Sequence, residues 1–239
     1  MIRDLKHTIV LLGGLSILVS CGRRAEESEE LYAPQIDPAR FVAQVDNEFF
    51  PLVPGTTFLY EQASGGERVE VYVTDERREV MGVSCVVVRD REYKDEELVE
   101  ETLDWYAQDV DGNVWYFGED TKELEGGEVV STAGSWEAGV DGALPGIIMK
   151  GQPIVGESYR QEYYKEHAED MGEVLRLGDT VTVPYGSFEA VLVTREWTPL
   201  EPGAEEQKYY APGVGLILEV EDGDRMELVS VTGGVVGGS

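Results

Sequence analysis

The sequence predicts an all-β fold, an antiparallel meander that forms a barrel-like or sandwich domain with one long capping loop region. From residue 46 onward, short runs rich in Val, Tyr, Phe, Trp and Thr alternate with Gly, Asp and Pro. At 69–73 every second residue is Val, as expected for a strand with one buried face. The triplets at 64–66, 111–113 and 222–224 contain the Gly, Asp, Asn and Ser that tight reversals need.

Residues 1–20 have the order of a secretory signal peptide. Arg3 and Lys6 precede an apolar run at 8–19, which is shorter than the roughly 20 apolar residues that a membrane-spanning helix needs. The run ends in Leu-Val-Ser followed by Cys21, and this stretch resembles the bacterial lipoprotein lipobox. The resemblance implies cleavage before Cys21 and lipid, including palmitate, on that residue. The alternative is an N-terminal anchor that is never cleaved.

Residues 21–45 are predicted to be a lipidated N-terminus and a flexible tether, because 22–38 are polar and charged and contain prolines. Acyl chains contribute about 0.8 kcal/mol per buried CH₂, so such chains anchor a protein without a transmembrane helix. We therefore expect an exported protein, lipid-anchored in the bacterial cell envelope on the periplasmic face or the cell surface.

A single β-rich domain is predicted over 46–232, followed by a flexible Gly-rich tail at 233–239. The segment 119–157 contains many glycines and reads as a long irregular excursion, a lid or binding loop. A short helix is expected at 165–172. The predicted strands lie at 56–62, 67–75, 79–90, 97–108, 113–118, 158–164, 173–183, 187–197, 206–211, 214–221 and 225–232.

Four stretches together resemble a group of uncharacterised bacterial secreted proteins and lipoproteins. They are NEFFPLVPGTTFLYE (47–61), DWYAQDVDGNVWYFGEDT (104–121), GSWEAGVDGA (134–143) and YYAPGVGLILEV (209–220). The resemblance covers roughly 46–232 and implies an exported β-domain. It implies no activity, and we assign no catalytic residue from it.

The chain is strongly acidic, with 48 Asp and Glu against 19 Lys and Arg and a formal net charge of −29. Such a field repels nucleic acids and attracts cations, so nucleic acid is excluded as a partner. The expected partners are a membrane, through the N-terminal lipid, and a cation, a glycan or another envelope protein. An acidic surface that only keeps the protein dispersed is the simpler alternative.

The motif Asp109-x-Asp111-Gly112-Asn113 is a candidate Ca²⁺ site, because oxygen ligands at alternate positions around a glycine are typical of calcium loops. Counting twelve positions from Asp109 leads to Asp120, where an EF-hand has its last carboxylate ligand. The candidate metal ligands are thus Asp109, Asp111, Asn113 and Asp120, with Ca²⁺ as the candidate cofactor. The alternative is a hairpin turn that uses Asp and Asn for backbone reasons.

A second acidic cluster lies in or beside the excursion, and its members are Glu119, Asp120, Glu137, Asp141, Glu162, Glu169 and Asp170. If the excursion folds back over the sheet, several could bind one hard cation, or two could act as general acid and base on a glycan-type substrate. The candidate ligand surface is Glu119, Trp136, Glu137 and Asp141. A solvated acidic face is the alternative.

Cysteine and histidine are too few for most familiar sites. Only Cys85 remains after Cys21, and its β-branched neighbours indicate a small buried residue rather than a nucleophile. His167 is the one histidine of the exported part, which excludes a zinc site with several histidines. No G-x-S-x-G elbow or G-x-x-x-x-G-K-[ST] phosphate loop occurs.

These observations predict a lipid-anchored cell-envelope protein with a non-enzymatic binding role, whose ligand is Ca²⁺ or another cation held by acidic loops. Two alternatives stay open. One is a carboxylate-dependent hydrolase that uses Glu119, Asp120, Glu137 and Asp141. The other is a purely structural or interaction lipoprotein.

Overall fold

Antiparallel strands account for most of residues 32–234, the part of the chain that this computed structural model describes. The signal peptide, Cys21, the start of the tether and residues 235–239 lie outside the described residues. The strands are β1 (Val45–Asn47), β2 (Phe50–Leu52), β3 (Thr57–Gln62), β4 (Glu67–Val80), β5 (Val83–Lys94), β6 (Glu97–Gln108), β7 (Val114–Glu125), β8 (Glu128–Ser131), β9 (Trp136–Glu137), β10 (Leu144–Met149), β11 (Ser158–Arg160), β12 (Glu162–Tyr163), β13 (Met171–Val183), β14 (Gly186–Trp197), β15 (Glu205–Ala211), β16 (Gly215–Glu221) and β17 (Asp224–Thr232). A 3-10 helix spans Pro38–Arg40, and within 32–234 no helix is long and apolar enough to cross a membrane.

The predicted all-β antiparallel fold is confirmed. β1 and β2 form a small hairpin, and the other strands form one 15-stranded sheet. Its main path is β11-β13-β14-β15-β16-β17-β3-β4-β5-β6-β7-β10-β12, and β8 and β9 pair with β7 beside this path. Strands that follow each other in the chain are neighbours in most of this order, and β17 pairs with β3, which joins the two ends of the meander. The hydrogen-bonded path begins at β11 and ends at β12, so the sheet is not closed into a barrel.

One residue links the two ends of this path. β11 pairs with β13, β12 pairs with β10, and Gln161 alone separates β11 from β12 in the chain. The backbone of Gln161 lies so close to Gly146 of β10 that a Cβ at position 146 would be 2.2 Å from its carbonyl carbon. Gly146 is therefore required for β12 to reach β10.

The main core lies on one face of the sheet, which we call the inner face. Its buried residues come from strands throughout the sheet and include Phe58, Val73, Val88, Val191 and Leu228. A single sheet can bury side chains of all these strands together only if it curls around them. The other face is called the outer face below.

A second core covers the outer face of β5–β7. Cys85, Val87 and Trp105 are buried there with Phe117. Ile36 and Phe41 also pack against this cluster, so part of the predicted tether lies on the sheet. The folded region therefore begins before residue 46.

Three local predictions differ from the structure. β7 extends to Glu125, and the rest of the predicted irregular excursion consists of turns and loops that connect the short strands β8, β9 and β10, each of which pairs with β7. The segment predicted to be a helix at 165–172 is a turn at 165–167, in which Glu166 has a φ of 64°, followed by the start of β13. The predicted strand 79–90 is interrupted at Met81, because the chain reverses between β4 and β5 with a φ of 51° there.

Candidate functional site

Asp109 stabilises the turn between β6 and β7. Its Oδ1 accepts hydrogen bonds from the backbone N–H groups of Asp111 and Asn113, both at 2.9 Å. Its Oδ2 accepts from Asn113 Nδ2 at 2.9 Å and from Trp115 Nε1 at 2.8 Å. Four donors therefore occupy the carboxylate, as expected for an Asx-type turn.

The other candidate calcium ligands are separated from Asp109 or already bonded. Asp111 forms an ion pair with Arg40 at 2.5 Å. Asn113 Oδ1 accepts a hydrogen bond from the backbone N–H of Gly151 at 3.0 Å. Asp120 lies on β7 six residues beyond Val114, which is about 20 Å along a strand. The structure brings Asp109, Asp111 and Asn113 together in one turn and places Asp120 elsewhere.

Most of the predicted ligand surface lines one shallow depression beside β7 and β9. Glu119, Trp136 and Glu137 line it, as does Asp120, and its volume is about 300 Å³. Asp141 is not among its lining residues; it lies in an exposed turn with a φ of 50°. The depression is also lined by Arg78, Trp105 and Ser135.

Arg78 supplies a positive charge that pairs with one of the carboxylates of this depression. Its guanidinium donates a hydrogen bond to Glu137 Oε2 and lies 3.9 Å from the ring centroid of Trp105. This contact pairs the carboxylate of Glu137 and covers one face of the indole. Glu119 is the carboxylate of the depression that also reaches the inner face.

Carboxylates are concentrated on the inner face of β5, β6 and β7. Directly opposed residues of an antiparallel pair lie on the same face, and the register gives two such acidic rows. One row is Glu92, Glu100 and Glu123, and the other contains Asp104 and Glu119. Between them lies a row of Asp90, Thr102 and Thr121. The acidic face, as used below, consists of Asp90, Glu92, Glu100, Asp104, Glu119 and Glu123.

The outer face of the same strands has the opposite arrangement. One cross-strand row there reads Glu70, Arg91, Glu101 and Lys122, so that the charges alternate. Arg91 Nε donates to Glu101 Oε2 at 2.6 Å. Opposed like charges destabilise a sheet, whereas opposed unlike charges stabilise it. Within β5–β7 the like-charged rows lie on the inner face.

Most acidic-face carboxylates have no basic partner in the part of the chain that the structure describes. Within residues 32–234, Asp90, Glu100, Asp104, Glu119 and Glu123 make no ion pair. Asp90 Oδ1 is buried and has no hydrogen-bond partner in the described part of the chain. Burial, together with the nearby charges of Glu92 and Asp104, raises the pKa of Asp90 well above its usual range.

Two carboxylates of the acidic face share the hydroxyl group of Tyr116. This hydroxyl lies 2.6 Å from Asp104 Oδ1 and 2.8 Å from Glu119 Oε2. Burial raises the pKa of Asp104 to about 6. Burial and the charge of Asp104 raise the pKa of Glu119 to about 8, and burial and Glu92 raise that of Glu100 to about 7. With these values Glu100 and Glu119 are protonated for much of the time at neutral pH, whereas Asp104 is mostly ionised.

Farther along the inner face, Lys208 of β15 is buried among carboxylates. Its Nζ lies 3.0 Å from Glu196 Oε2 and 2.9 Å from Glu206 Oε1. The hydroxyl of Tyr210 donates to Glu196 Oε1 at 3.2 Å. Burial and the charge of Glu206 raise the pKa of Glu219, which lies 3.9 Å from Lys208 Nζ, to about 8. Lys208 is therefore already paired and is not the counter-ion of the acidic face.

The remaining candidates are placed as expected for structural residues. Cys85 is fully buried, and burial raises the pKa of its thiol to about 12, which disfavours the nucleophilic thiolate. His167 is exposed and stacks on Tyr164 at 4.3 Å between ring centroids. Among residues 32–234, no group of three or more His, Cys, Asp and Glu side chains is arranged to hold a metal ion.

Asp90, Asp104 and Tyr116 were missed by the sequence reading, although an alternating signal was present. Acidic or Thr residues occur at every second position in three consecutive strands, at 90–92, 100–104 and 119–123. This period places them on one face of each strand. Only the register shows that the three faces are the same one.

Comparisons with known proteins do not identify a family for this chain. No family model matches the chain, and no curated protein matches it. The chain is similar to a crystal structure of a Parabacteroides distasonis protein that is provisionally described as a lipoprotein. The identity is 11% and the TM-score 0.42, over 78% of this chain and 99% of that one. At this level the similarity supports no argument about function.

Proposed function

We propose that this chain is a lipid-anchored protein of the bacterial cell envelope whose acidic face binds a cationic ligand. The observation that carries the proposal is the contrast between the two faces of β5–β7. Charges alternate across the outer face, whereas carboxylates stand opposite carboxylates on the inner face. An acidic composition alone does not explain that difference, because both faces belong to the same strands.

A bound cation would relieve the repulsion that the acidic face contains. Neighbouring strands are about 4.8 Å apart, so opposed carboxylates are close enough to raise one another's pKa. Asp90 Oδ1 has no hydrogen-bond partner among residues 32–234, and a positive charge beside it would compensate its burial. The ligand is Ca²⁺ or another cation that contacts carboxylates of neighbouring strands.

The lipid anchor rests on the sequence around Cys21, which lies outside the described residues. We expect labelled palmitate to enter the protein and a Cys21→Ser variant to incorporate none. The variant should also be released from membranes once its leader is cut. Label in the variant, or membrane retention of a cut Cys21→Ser protein, would contradict lipidation at this residue.

Thermal unfolding with and without a cation tests the binding proposal. The lipidated protein in detergent is treated with a chelator and melted with Ca²⁺ or, separately, spermidine, at constant ionic strength. Binding stabilises the folded state by RT ln(1 + [L]/Kd), about 2.7 kcal/mol at a concentration of 100 Kd. We expect a higher melting temperature with at least one of the two probes.

Two variants locate the effect. Asp90→Asn combined with Glu100→Gln should raise the melting temperature of the untreated protein and remove its response to the cation. Asp111→Asn, in the turn beside Asp109, is the matched control and should respond like the wild type. If only Asp111→Asn loses the response, the cation binds in the turn instead. If the wild type responds to neither Ca²⁺ nor spermidine, the proposal is overturned.

A second candidate is a carboxylate-dependent hydrolase. It is favoured by one observation: Glu119, whose burial and whose neighbour Asp104 raise its pKa to about 8, lines the depression that also contains Asp120 and Glu137. A carboxyl that stays protonated at neutral pH can act as a general acid. Activity on a panel of glycans that disappears in Glu119→Gln and in Glu137→Gln, with the fold intact, would establish it.

A further inference from the structure

Three turns and one loop meet at one end of the long strands. Because β4–β7 form an antiparallel meander, the β4–β5 turn at Met81 and the β6–β7 turn at 109–113 lie at the same end of the sheet. The loop 150–157 packs directly on the backbone of the β6–β7 turn. The turn 139–142 contacts Met81, since a Cβ added at its first residue would lie 3.1 Å from the Cγ of Met81.

The segment that leads into the domain from the predicted lipidation site lies at the same end. Pro38 packs on the β4–β5 turn, because a Cβ added at Gly82 would lie 3.3 Å from its Cγ. The backbone N–H of Val42 donates to the carbonyl O of Gln108 at 2.9 Å, next to the β6–β7 turn. The chain therefore enters the domain beside these turns, and we call this end of the molecule the tether end.

Large apolar side chains are exposed to solvent all around the tether end. They are Val42, Met81, Val110, Val140, Ile154 and Val155, of which Ile154 is the most exposed, at 64%. Single exposed apolar residues are common on protein surfaces, whereas a group of them on neighbouring turns marks an interaction site. The apolar rim, as used below, consists of these six residues.

The position of the apolar rim fits a lipid bilayer as its partner. The chain between Cys21 and Pro34 spans at most about 45 Å even when it is fully extended. A domain held so close to its own membrane meets the bilayer at a high effective concentration, so a few exposed side chains suffice for contact. A second copy of this chain is a poorer partner, because two chains of net charge −29 repel each other.

The carboxylate rows of the inner face do not oppose this contact. The pair Glu100 and Glu123 lies near the far end of β7. Glu123 is nine residues beyond Val114, which is about 30 Å along a strand. At physiological ionic strength charges are screened over about 8 Å. Repulsion between this row and lipid headgroups at the tether end is therefore weak.

We propose that the apolar rim rests in the headgroup region of the bilayer that carries the lipid anchor. The domain then stands with its tether end on the membrane and with the Glu100–Glu123 row at the far side. Entry of the rim into the interface removes apolar surface from water, which is favourable. This inference rests on the proposed lipid anchor, and it does not require the acidic face to bind a cation.

Brominated lipids test the contact in the lipidated protein, reconstituted into phosphatidylcholine vesicles. An environment-sensitive fluorophore is attached to Val110→Cys or Val155→Cys. Labelling is confined to the new thiol, because Cys85 is fully buried and Cys21 carries the lipid. We expect bromine on the acyl chains to quench both labels, and iodide in the water to quench them poorly.

Val129→Cys is the matched control. Val129 and Val155 are similarly exposed, at 52% and 56%, but Val129 lies on β8 opposite Leu124, near the far end of β7. Its label should be quenched by iodide and not by brominated lipid.

Flotation with the vesicles separates this inference from the anchor. If the protein floats and the rim labels behave like the Val129→Cys label, the inference is overturned and the anchor stands. If the rim labels are shielded from iodide without quenching by bromine, a protein surface covers the rim, and the inference is again overturned. A protein that does not float overturns both.

A label-free measurement is needed as well, because the fluorophore is itself apolar. In vesicles, the combined variant Val110→Ser, Ile154→Ser and Val155→Ser should lose hydrogen-exchange protection at 109–113 and 150–157 relative to the wild type. Val129→Ser should exchange like the wild type. Equal protection of the wild type and the combined variant would contradict the contact.

Discussion

Lys208 lies among the carboxylates of Glu196, Glu206 and Glu219 on the inner face. Within residues 32–234, no other basic side chain forms an ion pair with these three groups. Its side chain is 9% exposed, and those of Glu196 and Glu206 are 3% and 4% exposed. A buried ion pair stabilises the folded state little more than apolar residues in place of both partners would. Removing only one partner destabilises the protein strongly, because it leaves an uncompensated buried charge. The position of Lys208 is therefore essential to the stability of β14–β16.

We expect Lys208→Met to destabilise the protein by about 3–5 kcal/mol in urea unfolding, because two buried carboxylates lose their counter-ion. Lys122→Met is the matched control. Lys122 is paired with Asp120 at 3.5 Å on a surface where both side chains are more than a third exposed, so its loss should change stability by less than about 1 kcal/mol. Equal effects of the two substitutions would contradict the account of the Lys208 cluster.

Gly146 shows how a single residue determines the pairing of an element. A methyl group at this position would collide with the backbone of Gln161 and lie 2.5 Å from the N atom of Glu162. Neither neighbour is the flexible end of a side chain, so the clash can be relieved only by moving β12 away from β10.

Gly146→Ala should therefore destabilise the protein by about 1–3 kcal/mol or more, as overpacking does in a closely packed interior. Gly186→Ala is the control, because it is also a strand glycine and its added Cβ would lie 3.6 Å from the ring of Phe188, an ordinary contact. The control should stay within about 0.5 kcal/mol of the wild type. Chemical denaturation of the two variants side by side measures the difference.

The elements were predictable to the extent that their residues alternate. β6 was predicted with its observed bounds, because it combines apolar alternation with turn residues on both sides. The end of β7 was missed because 119–125 is mostly charged, and its pairing with β6 depends on cross-strand charges such as Lys122 opposite Glu101. The reversal at Met81 was missed because methionine is not a turn residue by preference.

The candidate site was predictable only in part, because local sequence patterns do not show which residues of different strands stand opposite each other. The sequence placed Glu119, Trp136 and Glu137 on one ligand surface, and the structure brings them to one depression. Asp90 and Asp104 join Glu119 through strand register, which pairs residues far apart in the chain and is not encoded in local composition.

At the scale of the whole molecule, carboxyl groups with raised pKa values make folding dependent on pH. Burial is the first cause of the raised values of Glu100, Asp104, Glu119 and Glu219, which lie between about 6 and about 8. Because the folded state binds more protons than the unfolded chain, this contribution to stability is fully present below the ordinary carboxyl pKa. It is lost as pH rises through the folded-state values.

We therefore expect the melting temperature to fall steadily from pH 5 to pH 8 at constant ionic strength. Glu206 acts in the opposite direction, because Lys208 lowers its pKa, but it is one group against seven carboxyl groups whose pKa is raised. Repulsion within a chain of net charge −29 adds to the fall. A melting temperature that is constant or rises over this range would show that the inner-face carboxyl groups are not protonated in the folded protein.

The central claim, that the acidic face is the cation-binding surface, is tested most directly by carboxyl ¹³C resonances during titration with Ca²⁺ or spermidine. The account predicts saturable shifts for Asp90, Glu100, Asp104 and Glu119, with the resonances of the turn at Asp109 and Asp111 unchanged. Saturable shifts confined to Asp109 and Asp111, or a uniform drift of all carboxyl groups without saturation, would contradict it.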